Sequence, residues 1–186
     1  MRRAEIERET KETIIKLVLE LDGEGKLIGE IPIPYWRHLL ETLIFYSSFN
    51  LEIFAKGDTE VDPHHLIEDM GLTLGMALRK ALSSSNFKRF SHQILPMDEA
   101  LIMLALDISG RPYLGWYDNI KKEGNDLVKE FLRAFVNEAK MTLHISIMAG
   151  ENLHHIQEAI FKALGLSLKE ACKIENKVSS TKGKIL

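Results

Sequence analysis

The sequence GDTEVDPHHLIE at residues 57–68 returns as GENLHHIQE at residues 150–158. Each copy begins with a glycine and ends with the motif His-His-x-x-Glu, and His64 and His154 are 90 residues apart. In both copies a strand-like apolar stretch precedes the glycine, and a stretch with helical periodicity follows the histidines. This self-similarity indicates a tandem duplication in which each histidine pair lies at the start of a helix.

The repeat extends towards the N-terminus of each half. TIIKLVLEL (13–21) and ALIMLALDI (100–108) are each followed by a turn that contains glycine. Short apolar runs bounded by turn residues favour β-strands, and a second strand is predicted to begin near residue 26 and near residue 113. The separation of the copies is 87 residues here, which makes Glu12 and Glu99 equivalent positions.

A helix, a strand and a second helix complete each half. The predicted elements lie at 34–47, 51–55 and 64–82 in the first half, and at 126–138, 142–148 and 153–164 in the second. We therefore predict an α+β fold, made by tandem duplication of a strand-strand-helix-strand-helix unit, with the apolar face of each unit buried against the other. The first unit is expected to span 1–90 and the second 91–175, followed by a polar tail at 176–186.

The composition is that of an ordinary globular protein and argues against several functional classes. Of the 186 residues, 45% are hydrophobic and 27% are charged, and the net charge of −3 gives no general attraction to nucleic acid. The charged N-terminal segment does not resemble a signal peptide, and no apolar run approaches the ~20 residues that span a bilayer. The single cysteine, Cys172, can form no internal disulfide. These features predict a cytoplasmic protein that binds neither nucleic acid nor membrane.

The two motifs have the spacing of metal ligands. Residues four apart lie on one face of a helix, so the first histidine and the glutamate of each motif can bind one ion. Adjacent helical residues point about 100° apart, so the second histidine of each motif should reach the other ion. The predicted crossed sites comprise His154, Glu158 and His65 in one case, and His64, Glu68 and His155 in the other.

Two further histidines could complete these sites: His38 on the first predicted helix and His144 in the strand before the second motif. With one of them each, both sites would have three imidazoles, one carboxylate and open positions. This donor set suits Mn²⁺, Fe²⁺ or Zn²⁺, and open positions favour a catalytic site over a structural one. A single histidine pair could instead belong to the core or the surface, but packing would accept leucine or methionine in both copies.

At these motifs the chain resembles imidazoleglycerol-phosphate dehydratase, a lyase of histidine biosynthesis, over nearly its whole length. The stretches that carry the resemblance are RETKET (8–13), GDTEVDPHHLIEDMGLTLGMAL (57–78), RF (89–90), PMDEAL (96–101), LDISGRPYL (106–114), MTLHI (141–145), GENLHHIQEAIFKA (150–163) and STKG (180–183). The resemblance implies a duplicated α+β unit with its helices packed between two sheets. It also implies a homo-oligomer, a 24-mer, with active sites at subunit interfaces.

The resemblance assigns a role to each site residue. One Mn²⁺ would be bound by His38, His65, His154 and Glu158, and the other by His64, Glu68, His144 and His155. The two ions would bind the imidazole of D-erythro-imidazoleglycerol phosphate and act as an electron sink, while Glu12 moves protons during the loss of water that gives imidazole-acetol phosphate. The substrate phosphate would be bound by Arg89, Arg111, Ser180 and Lys182.

The first predicted helix departs from the family pattern. A usual Phe-Asp-His-Met is Trp-Arg-His-Leu at 36–39, and the other changed positions are Thr42, Tyr46, Ser47 and Leu66. These changes leave two further hypotheses open. One is a divergent homologue that keeps metal-dependent assembly with weak or altered catalysis, and the other is a metal-dependent hydrolase that uses the same ligands. Joint retention of Glu12, the basic residues and the full ligand set favours the dehydratase.

Overall fold

The computed structural model describes residues 2–83, 86–177 and 180, and within them the chain forms two four-stranded sheets and four helices. The first half contains β1 (Arg3–Glu9), β2 (Thr13–Glu20), β3 (Leu27–Glu30), α1 (Pro34–Ser47), β4 (Asn50–Gly57) and α2 (His64–Leu82). The second half contains β5 (Phe90–Met97), β6 (Ala100–Asp107), β7 (Tyr113–Asp118), α3 (Asp126–Ala139), β8 (Thr142–Ala149) and α4 (Leu153–Ala171). The predicted α+β duplication is therefore confirmed.

The two sheets have the same topology. The strand order is β1-β2-β4-β3 in the first sheet and β5-β6-β8-β7 in the second. Side chains alternate between the faces of a strand, and in β2 this buries Ile15, Leu17 and Leu19. The central strands β4 and β8 end at Gly57 and Ala149, directly before the loops that lead into the two motifs. Each histidine pair therefore lies beside the end of a central strand.

Each half contains one strand more than the sequence pattern indicated. β1 and β5 lie at the edges of their sheets, where each pairs antiparallel with the strand that follows it. The sequence RAEIERE of β1 is mostly charged, and charged residues are a common feature of edge strands. β5 contains Pro96, a residue that is tolerated at an edge but not in the centre of a sheet.

The strands on either side of each predicted glycine turn do not pair with each other. β4 lies between β2 and β3, and β8 lies between β6 and β7. β3 and β7 run parallel to these central strands. The hairpins of the fold are instead β1–β2 and β5–β6, and their turns place Glu12 and Glu99 directly before β2 and β6.

The helices form the layer between the two sheets, as the family resemblance implied. α1 packs against α4 and α2 packs against α3, so each helix pair joins the two halves of the chain. Trp36 of α1, Phe131 of α3 and Phe161 of α4 meet in the core, with ring centroids 5.4 to 5.9 Å apart. The burial of these aromatic side chains makes the helical layer the centre of the hydrophobic core.

Two equivalent glycines allow the helices to approach closely. Gly75 of α2 lies against the backbone carbonyl of Phe135 in α3, and Gly165 of α4 lies against the backbone carbonyl of Leu43 in α1. The two glycines are 90 residues apart, like the histidine pairs, so the close approach is a duplicated feature. The close approach at Gly165 packs α1, which carries His38, directly against α4.

The helix boundaries agree with the prediction for α1 and α2, whereas α4 continues to Ala171 instead of ending at 164. Gly165 resembles a helix stop in the sequence because glycine commonly follows a helix. In the structure it lies inside α4, and burial of Leu168 and Ala171 against the core stabilises the last turns. No helix of the described residues is long and apolar enough to cross a membrane.

Candidate metal centre

Side-chain oxygens fix the backbone at the start of both motifs. Asp62 Oδ1 accepts a hydrogen bond from the backbone N–H of His64 at 2.6 Å. Asn152 Oδ1 accepts one from the backbone N–H of His154 at 2.9 Å. The first turn of a helix leaves such N–H groups without an intrahelical partner. These bonds therefore hold the first turns of α2 and α4, from which the candidate ligands project.

His38, His154 and Glu158 converge where α1 packs against α4. One ligand atom from each residue lies within 4.8 Å of the others. Glu158 Oε2 is 3.0 Å from His154 Nε2 and 3.4 Å from His38 Nε2, and the two imidazole rings are stacked. His38 Nε2 is buried and, although Glu158 Oε2 lies 3.4 Å away, the geometry gives it no well-formed hydrogen bond among the described residues. Buried polar atoms are normally satisfied, so this nitrogen has the environment of a metal ligand.

Lys162 holds the other oxygen of Glu158. Its Nζ lies one helical turn further along α4, 2.9 Å from Glu158 Oε1. Burial acts to raise the pKa of the Glu158 carboxyl, but the hydrogen bond and charge of Lys162, and then His38, bring that pKa below its usual value. The carboxyl group therefore stays ionised, with Oε2 directed at two imidazoles.

His64 and Glu68 form a looser pair at the start of α2. Their closest nitrogen–oxygen distance is 3.7 Å, and the Glu68 side chain is 45% exposed. The Glu158 side chain is 13% exposed. The position that corresponds to Lys162 in this helix is Leu72. The two motifs thus share their spacing but differ in their surroundings.

Carboxylates from neighbouring loops contact the second histidine of each motif. Glu99 Oε2 lies 2.7 Å from His155 Nδ1, and Asp58 Oδ2 lies 3.1 Å from His65 Nδ1. Glu12 is further from His65 Nδ1, at 3.7 Å. The hydrogen bond with Asp58 raises the pKa of His65. The hydrogen bond with Glu99 raises the pKa of His155, and the same bond lowers the pKa of Glu99 to about 2.

His144 lies on β8 beside two tyrosines of β7. The hydroxyl of Tyr117 is 3.2 Å from His144 Nδ1, with the two rings stacked, and the ring of Tyr113 is 5.4 Å away. Gly115 is the register partner of His144 in β7. A Cβ atom at Gly115 would overlap the imidazole, so the absence of a side chain there makes room for this orientation of His144.

One chain brings together part of the predicted ligand set. Among the described residues, the clusters of three or more ligand atoms are His38–His154–Glu158 and Glu12–Asp58–His65. The predicted crossing is not made within a single chain, because His65 does not join the cluster of His154 and Glu158. Likewise, neither His144 nor His155 joins the histidine and glutamate at the start of α2. The crossing and the full set of eight ligands therefore stay predictions that require a second copy of the chain.

Asp107, at the end of β6, brings two of the predicted phosphate contacts together. Arg89 donates from Nε and Nη2 to the two oxygens of Asp107 at 2.6 and 3.0 Å. Arg111 Nη2 lies 3.9 Å from the same carboxylate, and its side chain is 67% exposed. Ser180 is half-buried, and Lys182 lies outside the described residues. Arg89 and Arg111 thus lie around the carboxylate of Asp107, and the Arg111 side chain is the more exposed of the two.

Three residues of α1 and α2 that depart from the family pattern have structural roles in this chain. Arg37 pairs with Glu41 at 2.9 Å and donates to the carbonyl of Gly29 at 2.6 Å, so it ties α1 to β3. Thr42 and Leu66 are buried in the core. These substitutions therefore contribute to packing, and the candidate ligands His38, His154 and Glu158 are present together with them.

The sequence motifs do not single out Asp58, Glu99, Asp107 or Lys162 as site residues. A signal existed for Glu99, because the 87-residue offset makes it the equivalent of Glu12. A signal also existed for Lys162, which follows the second motif by one helical turn. The two aspartates lie at strand ends, and no spacing rule connects them to the side chains that they contact.

The donor set fits a divalent transition metal. Imidazole nitrogens and carboxylate oxygens together suit manganese, iron or zinc. Histidines that bind metals usually direct their other ring nitrogen at a carboxylate, a carbonyl or another polar group. His65, His144 and His155 have such partners at Nδ1. The buried Nε2 of His38 faces Glu158 Oε2 at 3.4 Å without a well-formed hydrogen bond.

Known proteins resemble the chain over its whole length. A family model described as imidazoleglycerol-phosphate dehydratase matches residues 31–168. A relative of that name from Dictyoglomus thermophilum is 62% identical over 100% of both chains, and one from Caldicellulosiruptor saccharolyticus is 49% identical over 97% of this chain and 96% of the relative. The crystal structure of the Pyrococcus furiosus enzyme has 40% sequence identity and a TM-score of 0.82, covering 96% of this chain and 99% of that chain. The chain belongs to the imidazoleglycerol-phosphate dehydratase family.

Proposed function

We propose that this chain dehydrates D-erythro-imidazoleglycerol phosphate to imidazole-acetol phosphate, with two manganese ions in each active site. The observation that carries the proposal is the convergence of His38, His154 and Glu158 in a chain whose relatives are named for this reaction. The three ligand atoms come from two different helices. His38 Nε2 is buried and faces Glu158 Oε2 at 3.4 Å without a well-formed hydrogen bond, an arrangement that leaves room for an ion between the two groups.

Glu12 is the residue that we propose to move protons. The bound metal would hold the substrate imidazole and polarise it, so that a hydrogen on a neighbouring carbon becomes acidic enough to leave. Glu12 lies in the β1–β2 turn with its side chain 56% exposed, and its carboxylate is 3.7 Å from His65 Nδ1. An exposed carboxylate beside a ligand imidazole can reach a substrate that is held by the same ligands.

A second copy of the chain is proposed to complete each site. His65, His144 and His155 lie outside the His38–His154–Glu158 cluster of their own chain. Each has its Nδ1 edge next to a polar partner, so Nε2 is the nitrogen available to an ion. This supports a homo-oligomer with active sites at subunit interfaces, and we propose the 24-mer that the family resemblance implies.

The substrate phosphate is proposed to bind at Arg89 and Arg111, with Ser180 and Lys182 as further contacts. Asp107 fixes the orientation of the Arg89 guanidinium through two hydrogen bonds. The Arg111 side chain is 67% exposed, so its guanidinium is accessible to an anion from solvent. Arginine is suited to phosphate because its planar group can donate two parallel hydrogen bonds.

The experiment is a dehydration assay on the assembled protein, with metal content measured on the same sample. We expect turnover of imidazoleglycerol phosphate together with bound manganese, and we expect His154→Ala to lose both and to impair assembly. Full activity without any bound cation would refute the metal assignment. Retained metal and assembly without turnover would favour the divergent homologue. Release of inorganic phosphate in place of dehydration would favour the hydrolase.

A further inference from the structure

Glu12 and Glu99 occupy equivalent positions of the duplication, but their surroundings differ. Each is the last residue of the turn that precedes β2 or β6. Glu12 lies 3.7 Å from His65 Nδ1, beyond hydrogen-bond distance, with its side chain 56% exposed. Glu99 lies 2.7 Å from His155 Nδ1, and its side chain is 34% exposed. Glu12 is therefore open to solvent, whereas Glu99 is hydrogen-bonded to an imidazole.

Glu99 is held at both of its oxygens. Oε2 accepts the hydrogen bond from His155 Nδ1. Oε1 accepts from the backbone N–H groups of Glu151 and Asn152, at 3.1 and 2.7 Å. These two residues lead directly into α4. Glu99 therefore joins the β5–β6 turn to the start of α4 and to one imidazole of the second motif, and its carboxylate cannot turn away without breaking three hydrogen bonds.

In the first half, the residue that hydrogen-bonds to the equivalent imidazole, His65, is Asp58 and not the turn glutamate Glu12. Asp58 follows the last residue of β4, and its Oδ2 lies 3.1 Å from His65 Nδ1. Its backbone N–H also donates to the carbonyl of Glu12, at 3.2 Å. The corresponding residue after Gly150 is Glu151, which provides a backbone N–H to Glu99. The two halves thus hold equivalent imidazoles with carboxylates from different positions.

We propose that Glu99 and Asp58 are positioning residues that fix the Nδ1 proton of His155 and His65, and that Asp58 thereby leaves Glu12 free for proton transfer. This inference rests on the proposed function, because it takes both imidazoles to be metal ligands. An ionised carboxylate only accepts hydrogen bonds, so the ring nitrogen that faces it carries the proton and the lone pair lies on Nε2. Nε2 of His155 is 3.7 Å from the Asp98 carboxylate, too far for a hydrogen bond.

Glu99→Gln tests the proposal because it preserves the shape of the side chain. The amide oxygen of glutamine can still accept from the two backbone N–H groups, whereas its NH₂ group would face His155 Nδ1 as a donor. The imidazole proton must then move to Nε2, where it blocks ligation. We expect the manganese dissociation constant to rise about 10- to 100-fold, as for other partners of metal-bound histidine. The unfolding midpoint of the metal-free protein should stay close to that of the wild type.

Two further variants make the result specific. Asp58→Ala removes the carboxylate that faces His65 Nδ1 and is independent of any folding defect in the Glu99 variant. Glu12→Gln is the matched control, since it changes the equivalent glutamate without removing a hydrogen bond to either imidazole. Glu12→Gln should lower kcat and leave the manganese dissociation constant unchanged, whereas the other two variants should raise that constant.

The outcomes separate this inference from the proposed function. Manganese affinity equal to wild type in both Glu99→Gln and Asp58→Ala would overturn the positioning role alone. An equal loss of manganese affinity in Glu12→Gln would overturn the division of tasks between Glu12 and Glu99. A wild-type protein that binds no manganese would overturn the proposed metal site and this inference together.

Discussion

Substitution of Gly165 by alanine should couple helix packing to metal binding, and the same change at Gly75 provides a matched control. Both glycines lie inside a helix at equivalent positions of the duplication. Gly165 packs onto α1, which carries His38. Gly75 packs onto α3, whose residue at the equivalent position is Glu130. The two variants therefore disturb similar helix crossings, and only one of these crossings brings together candidate ligands of the three-residue cluster.

The size of the effect follows from the contacts. A Cβ atom at Gly165 would lie 2.7 Å from the carbonyl oxygen of Leu43, and one at Gly75 would lie 2.5 Å from that of Phe135. Both obstacles are backbone atoms, so the helices must separate. Overpacking of this kind costs up to about 3 kcal/mol, and alanine regains about 1 kcal/mol through its higher helix propensity. We expect each variant to lose about 2 kcal/mol of unfolding free energy.

Manganese binding should distinguish the two variants. Separation of α1 from α4 would move His38 Nε2 away from Glu158 Oε2, which is 3.4 Å distant in the native packing. Gly165→Ala should therefore weaken manganese binding, whereas Gly75→Ala should not. Urea unfolding of the metal-free proteins measures the first effect, and competition with a fluorescent chelator measures the second. Unchanged unfolding midpoints in both variants would refute the packing argument, and equal manganese affinities would refute the link to the cluster.

Three further predictions concern other parts of the chain. Burial raises the pKa of the Cys172 thiol to about 12, so a thiol reagent at pH 8 should label it only after unfolding in guanidinium. Two lysines lower the pKa of Glu170 from 4.5 to about 2, so its stabilising effect is present above pH 4.5 and is lost towards pH 2. The difference in melting temperature between wild type and Glu170→Gln should shrink over that range. Arg111→Gln should raise KM without affecting manganese content, whereas Arg133→Gln, a change on α3, should affect neither.

The duplication made much of the fold predictable. Two copies of one pattern locate the same elements twice, and an apolar period of two or 3.6 residues distinguishes strand from helix. Pro34 marks the first turn of α1, as proline often does, because its fixed φ angle suits a helix start. The structure brings together His38, His154 and Glu158, three of the residues that the family resemblance assigns to one ion, and their role as ligands stays a prediction.

The edge strands and the order of the strands were beyond the sequence pattern for physical reasons. An edge strand such as β1 needs only one hydrogen-bonding neighbour and has one solvated face, so its residues can be mostly charged. The insertion of β4 between β2 and β3 depends on contacts between residues far apart in the chain. The local periodicity of β2 does not indicate whether it pairs with β3 or with β4.

Equal spacing in the two motifs did not produce equal surroundings, and the difference has a consequence for the proposed chemistry. Glu158 of the second half is half-buried, with Lys162 at one oxygen and the imidazoles of His154 and of His38, from the first half, at the other. The first half has an exposed pair and a turn glutamate, Glu12, that is free of hydrogen bonds to the imidazole. Spacing within a helix cannot reveal this, because the surroundings come from other elements. The proposed dehydration needs both a firmly held ligand cluster and a carboxylate able to exchange protons. We propose that the contact between α1 and α4 provides the cluster and that Glu12 of the first half provides the carboxylate.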